Sequence, residues 1–183
     1  MEDAQGGSSC VQGTVAGHLL STIGIEKFPD VPRPADRVLG IDPGVGGGMA
    51  MLRSTGEIEL QKFTTESEFM SFVSVMGGRD KSNVCYIEDV PAYVSRATSN
   101  ASSFKLGVNF GFEMGVIRGL GVPLHLVGPK KWQKGLRGLK PKMGYTERKR
   151  CLVDNAKRLY PDLKVTNATA DALLILDWAL KQA

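Results

Sequence analysis

The chain has 183 residues, enough for one domain with a substantial core but crowded for two. It is 42% hydrophobic and 23% charged with a net charge of +4, and no apolar run approaches membrane-spanning length, which excludes a transmembrane helix. Its cysteines, Cys10, Cys85 and Cys151, are odd in number, far apart and without Cys-x-x-Cys spacing or nearby histidines, which argues for a reducing compartment and against zinc.

Residues 1–36 mix Gly, Ser and Thr with one apolar patch, Val15 to Ile25, and end in Pro32-Arg-Pro34-Ala-Asp36. This reads as a flexible arm with one short helix and a linker. It lacks the basic start and longer apolar middle of a secretory leader, so secretion is not expected. Residues 37–183 form the expected domain. Val38 to Asp42 reads as a buried strand, and Gly48 to Arg53 and Ile58 to Phe63 as two more around the turn Ser54-Thr-Gly56. Glu66 to Met76 has helical spacing of Phe69, Phe72, Val73 and Met76. Asn83 to Glu88 and Val122 to Val127 are further strands, with a long helix from about Ala101 between them. Helices over Thr146 to Tyr160 and Ala168 to Leu180 complete the order βββαβαβαα, an α/β fold with a mixed five-stranded sheet flanked by helices.

Two segments stand out. The long helix repeats glycine every fourth residue at Gly107, Gly111, Gly115 and Gly119, each about 0.8 to 1 kcal/mol worse than alanine in a helix. Close backbone packing would offset that loss, either on the chain's own sheet or across a two-fold helix contact between two copies. Lys105, Asn109, Glu113 and Arg118 rule out a lipid-facing helix. The second segment, Pro129 to Arg158, carries eleven Lys or Arg against two acids, a net +9 that leaves −5 elsewhere, and a polyanion is its natural partner.

Val38-Leu-Gly-Ile-Asp42-Pro-Gly-Val-Gly-Gly-Gly48 ends a strand in an aspartate and follows it with four glycines in five residues. A dinucleotide fingerprint counted from Gly44 and Gly46 places Met49 where its third glycine should be, and a Walker loop would need Gly-Lys-Ser/Thr. The glycines therefore read as a tight turn, and Asp42 as the group of chemical interest. An Asx-type cap is the plain alternative for a lone aspartate, but other acids accompany it. Val84-Cys-Tyr-Ile-Glu88-Asp89 ends a second strand in two carboxylates facing opposite ways, one of which can join Asp42. Asp171 is a charge within the apolar helix Ala170-Asp-Ala-Leu-Leu-Ile-Leu176. Carboxylates brought together repel unless cations neutralise them, and all-oxygen ligands favour Mg²⁺ or Mn²⁺. With the basic segment alongside, the reaction class is metal-dependent hydrolysis of a nucleic-acid backbone.

Leu39-Gly-Ile-Asp42-Pro-Gly44, Tyr86-Ile-Glu88-Asp-Val, Lys105-Leu-Gly107, Val127-Gly-Pro-Lys-Lys-Trp132 and Ala170-Asp171-Ala-Leu-Leu resemble, in order and spacing over about residues 37–180, the RuvC-type Holliday-junction resolvases of the ribonuclease H-like superfamily. The Lys-Lys-Trp segment and the basic stretch are most similar to the plant plastid resolvases, which implies a chloroplast location; no complete transit peptide is visible. The resemblance implies a ribonuclease H-like fold and a homodimer, with Gly107, Gly111 and Gly115 at its interface and no membrane partner. That dimer would bind four-way junction DNA and cut it by paired symmetric nicks with Mg²⁺ or Mn²⁺. Asp42, Glu88 and Asp171 match the family's metal-binding acids. Lys134 and Lys149 match lysines near the scissile phosphate, with Lys131 and Arg148 within alignment error. Lys130, Lys131, Lys134, Arg137, Lys140 and Lys142, together with Arg148 and Lys149, are the expected DNA contacts; ordinary phosphate neutralisation explains most of them. Tyr93 could stack on an unpaired base at the crossover, although Pro91 stands nearer the usual position.

One position departs from the pattern. The family has an acid or histidine three residues before Asp171, and here Ala168 stands there. Either the natural site works with fewer ligands or the chain has been altered to bind without cutting, and trapping a substrate complex favours the second. Three rivals remain: a binding module without catalysis, a nuclease for other branched or RNA substrates, and an actin-like kinase, whose two lobes would not fit in this length.

Overall fold

Alternation along the strands builds the sheet. In β1 (Val38–Asp42), Leu39 and Ile41 enter one apolar layer while Val38, Gly40 and Asp42 turn to the other. The computed structural model describes residues 37–77, 82–90 and 99–182, all in the unit that begins at Pro34. The N-terminal arm, and Tyr93 with Pro91, lie outside the described residues. The other strands are β2 (Gly48–Leu52), β3 (Ile58–Lys62), β4 (Val84–Glu88) and β5 (Leu124–Val127). Their spatial order is β3-β2-β1-β4-β5, with β1, β2 and β3 antiparallel in turn and β4 and β5 parallel to β1 and β4. The expected mixed five-stranded sheet is therefore present.

One face carries α1 (Glu66–Val73), which starts where the Thr65 hydroxyl accepts the Glu68 N–H, and α2 (Asn100–Gly119), similarly capped by Ser99. Phe69, Phe72 and Ile117 meet Leu39, Ile41, Met49 and Ile87 there. The other face carries α3 (Pro129–Trp132), α4 (Tyr145–Leu159) and α5 (Ala170–Leu180). Every residue of α5 from Ala170 to Leu176, Asp171 included, is buried. Several boundaries differ from expectation. The helix expected over 66–76 tightens into a 3-10 turn at Ser74–Met76, β5 begins two residues late after Pro123, and α5 begins at Ala170, leaving Ala168 in the preceding turn. Helix α3 was not anticipated, because four residues carry no periodicity.

The glycine repeat of α2 requires a correction. Gly107, Gly111, Gly115 and Gly119 are exposed, and a Cβ built on any of them meets nothing within 4 Å among the described residues. Packing on the chain's own sheet therefore does not explain the repeat. The core side of α2 is instead Phe110, Glu113, Met114 and Ile117, while Phe104 and Val108 are 72% and 49% exposed.

Close packing by glycine occurs in the sheet. A Cβ on Gly40 would lie 2.5 Å from the Ala172 carbonyl oxygen, and one on Gly48 would lie 2.6 Å from that of Ala168. Bare glycine at both points lets the start of α5 rest directly on β1 and β2, which brings Asp171 to the end of β1. Gly40→Ala is expected to cost about 1 to 3 kcal/mol or more through overpacking against backbone. Gly46→Ala, whose Cβ meets nothing within 4 Å, should stay within about 0.5 kcal/mol. Urea denaturation of both variants checks this, and equal losses would remove the contact argument.

Candidate active site

The sheet register sets the acids side by side. Ile41 of β1 pairs with Ile87 of β4, so Asp42 and Glu88 leave the C-terminal ends of adjacent parallel strands on the α5 face. Beyond Asp42 the chain reverses through Gly44, at φ +105°, with Gly47 donating to the Gly44 carbonyl at 2.9 Å. This is the tight turn anticipated from the glycine run. Asp171 enters from the first turn of α5, and Asp89 is exposed.

Lys149 of α4 completes the group. Its ammonium lies 2.7 Å from Asp171 Oδ2 and 3.8 Å from Asp42 Oδ2, with the three side chains only 12–18% exposed. The four residues thus come from β1, β4, α4 and α5. Glu88, Gln133, Tyr145, Arg148, Lys149 and Asp171 line a cleft of about 260 Å³ over the cluster.

Electrostatics show how crowded the charge is. Burial first, then the charge of Asp171, pushes Asp42 up to about 7 despite the opposing pull of Lys149. Burial and the charges of Asp42 and Asp171 push Glu88 to about 8, against Lys149 and Arg148. Burial also raises Asp171, although Lys149 and Arg148 favour its ionised form. Burial opposes the Lys149 ammonium, but Asp171 and Asp42 outweigh it and hold the lysine above its ordinary value.

Among the described residues no three Asp, Glu, His or Cys side chains form a ready cage for a metal ion, and an ammonium sits between two of the acids instead. The donor chemistry nevertheless fits a hard divalent cation: the ligands are all carboxylate oxygens, they repel one another, and Asp171 Oδ1 is buried without a partner among the described residues. Ala168 precedes the Thr169 N-cap of α5, its carbonyl against Gly48, the register partner of Asp42.

The basic segment runs through α3, a loop over 133–144 and α4. Gly135, Lys142 and Gly138 adopt positive φ. Buried Asn155 of α4 accepts the Arg137 N–H at 2.9 Å and donates to the Arg137 carbonyl at 2.8 Å, clamping the loop to the helix. Lys134, exposed, lines a neighbouring cleft with Lys130, Lys140 and Arg148, while Arg148 hydrogen-bonds Gln133. Of the two lysines singled out in the sequence, Lys149 touches the acids, while Lys134 lines the neighbouring cleft. Arg137 lines a further cleft with Arg150 and Arg158, and Lys131 and Lys142 are exposed.

Two residues near the cluster were not assigned a role from the sequence. Tyr145, 80% exposed, stands at the cleft mouth. Glu113 of α2, 1% exposed, accepts the Gly44 N–H at 3.2 Å through Oε1. Its position one helical repeat from Ile117 and Phe110 was the available signal.

No protein-family profile and no curated protein sequence matches the chain. Among solved structures, RuvC of Thermus thermophilus in complex with a Holliday junction substrate superposes with a TM-score of 0.54 at 15% identity, covering 81% of this chain and 96% of that one. A second Thermus thermophilus RuvC structure gives 0.52 at 18% identity over 80% and 96%. The yeast mitochondrial Holliday junction resolvase Ydc2 gives 0.38 at 15% identity over 81% and 80%, too loose a likeness to bear weight. The fold is therefore the ribonuclease H-like fold of RuvC.

The raised carboxyl groups give a pH signature. In metal-free protein Asp42 and Glu88 keep protons to about 7 and 8, against ordinary values of 3.8 and 4.5. The folded state then binds more protons than the unfolded one, so the stabilisation is complete below about pH 4 and is lost as the pH rises toward 7 to 8. Melting in EDTA should show Tm falling over that range. Added Mg²⁺ or Mn²⁺ should raise Tm more at about pH 8 than at about pH 6; a flat metal-free profile would remove the crowding.

Proposed function

We propose that this chain is a structure-specific endonuclease that binds four-way DNA junctions and resolves them by paired symmetric nicks through metal-dependent phosphodiester hydrolysis. The observation that carries the reading is the meeting of Asp42, Glu88 and Asp171 around Lys149, beside the basic loop after α3. The RuvC fold, seen in one neighbour with a Holliday junction substrate, supports the choice of DNA substrate.

Asp42, Glu88 and Asp171 would hold Mg²⁺ or Mn²⁺, which when bound supplies an activated water and charge stabilisation at the leaving oxygen. The chain's own residues do the rest. Lys149 provides a fixed positive charge where negative charge develops on the phosphate. Lys130, Lys131, Lys134, Arg137, Lys140, Lys142 and Arg148 contact backbone phosphates, which gives affinity without base specificity. Tyr93 belongs to the proposal as a wedge at the crossover. The similarity of the Lys130-Lys131-Trp132 segment to plant plastid resolvases supports a chloroplast location.

Ala168 stands where the motif has another ligand, and we read this chain as impaired in cleavage while retaining binding. Ala168→Asp or Ala168→His is expected to raise cleavage of a labelled four-way junction in Mn²⁺ by orders of magnitude, with linear duplex left intact at the same salt. Unchanged activity would remove the missing-ligand idea. Junction binding with no cutting by any variant would leave a binding module instead.

A homodimer is part of the same reading, supported by open glycines beside exposed Phe104 and Val108 on α2. If those glycines face only water, Gly111→Leu should stabilise the helix by up to about 1 kcal/mol and leave the mass unchanged. If a second α2 packs there, the leucine blocks it. Light scattering is expected to show a dimer for the unsubstituted chain and a monomer for Gly111→Leu.

A further inference from the structure

We propose that Glu113 is a positioning residue: from α2, on the face of the sheet opposite the acids, it holds the Asp42-Pro43-Gly44 turn and thereby fixes the direction of the Asp42 carboxylate. The inference rests on the metal-dependent reading above and extends it to a side chain outside the metal-binding set.

The geometry is a two-point grip. Glu113 Oε1 accepts the Gly44 N–H at 3.2 Å in a buried setting. Leu106, seven residues earlier and so on the same helix face, packs closely enough that a Cβ on Gly44 would lie 2.9 Å from its Cδ1. Gly44 itself sits at φ +105°, and its carbonyl accepts the Gly47 N–H at 2.9 Å. The peptide two residues after Asp42 is thus tied to α2 through its N–H and to the far side of the turn through its carbonyl. Lys149 grips Asp42 from the other face at 3.8 Å.

The cost of placing a carboxyl there argues for a purpose. Glu113 is 1% exposed and packs beside Phe110, Met114 and Ile117, and Oε2 has no partner among the described residues. A leucine would suit that layer better if packing were all that mattered. Burial holds the carboxyl up to about 8, against the Gly44 N–H bond, which favours the ionised form. Either protonation state presents an acceptor to Gly44, so the tether survives across neutral pH.

Helix α2 also carries the proposed dimer face. Glycines and Phe104 point outward while Leu106 and Glu113 point to the turn. A helix fixed on one side by a second subunit would hold the metal-binding turn on its other side.

The test compares Glu113→Gln, which keeps the acceptor, with Glu113→Leu, which removes it, in the full chain. Both should remain folded by thermal melting. The glutamine variant should keep Gly44 amide protection and Mn²⁺ affinity, the latter measured by calorimetry without DNA. The leucine variant should exchange the Gly44 amide at least about tenfold faster and bind Mn²⁺ about 10- to 100-fold more weakly. Its junction affinity in EDTA should not change, because the basic loop is untouched. Unaltered Gly44 exchange and Mn²⁺ affinity in the leucine variant would overturn the inference, as would equal damage in the glutamine variant. Absence of Mn²⁺ binding by the unsubstituted chain would instead count against the metal-dependent reading, and Gly44 exchange would then decide the tether alone.

Discussion

Three carboxylates crowded into a poorly solvated corner around one ammonium form the constraint on which the rest of the molecule depends. Two unit charges about 4 Å apart interact by roughly 4 kcal/mol at an effective dielectric near 20. If Asp42, Glu88 and Asp171 were all ionised, Lys149 would leave two negative charges uncompensated. The upward shifts of Asp42 to about 7 and Glu88 to about 8 show the metal-free response, retention of protons. A bound divalent cation, as proposed, would offer a different compensation, and the same repulsion that burdens the fold would become affinity for the ion.

Such a cluster persists only if the scaffold cannot relax away from it. On one face the apolar residues of α5 bury the helix, and the bare Gly40 and Gly48 let its backbone sit on the sheet. Asp171 therefore has no room to retreat from Asp42. On the other face, Leu106 and Glu113 hold the turn after β1. Small residues in the sheet and a buried acid in a helix thus meet one requirement from opposite sides. The Lys149 pair is itself partly buried, and removing one partner from such a pair typically costs about 3 to 5 kcal/mol because the other charge is stranded.

What could be read from the chain followed the range of the interactions involved. Strand alternation is local, so β1 to β4 came within one residue of their observed ends, and the position of Asp42 and Glu88 at strand ends followed from that period. Their adjacency needed the β1–β4 register, which no local pattern encodes. Asp171 was legible because a lone charge in Ala170-Asp-Ala-Leu-Leu demands a partner. Glu113 was not, since the surrounding glycines blur which side of α2 is apolar, and it read as one more polar interruption. The glycines themselves left two explanations open in the sequence, and only the open space beside them argues against packing on the described sheet. Helix α3 is too short to show a period, though Gly128 before Pro129 marks its start.

If the proposed function holds, a division of labour between the acids and the basic loop would let binding and cutting separate in one molecule. Phosphate contacts are numerous, individually weak and screened by salt, so their sum tolerates the loss of any one. The Asn155 clamp holds the Arg137 backbone, and with it the loop, without involving the carboxylates. The acids are linked through shared charge, so a change at one carboxylate alters the others. Ala168 sits in the turn just before α5, its carbonyl against Gly48. On the proposed reading, such a chain would keep its grip on a polyanion while its chemistry depended on one side chain.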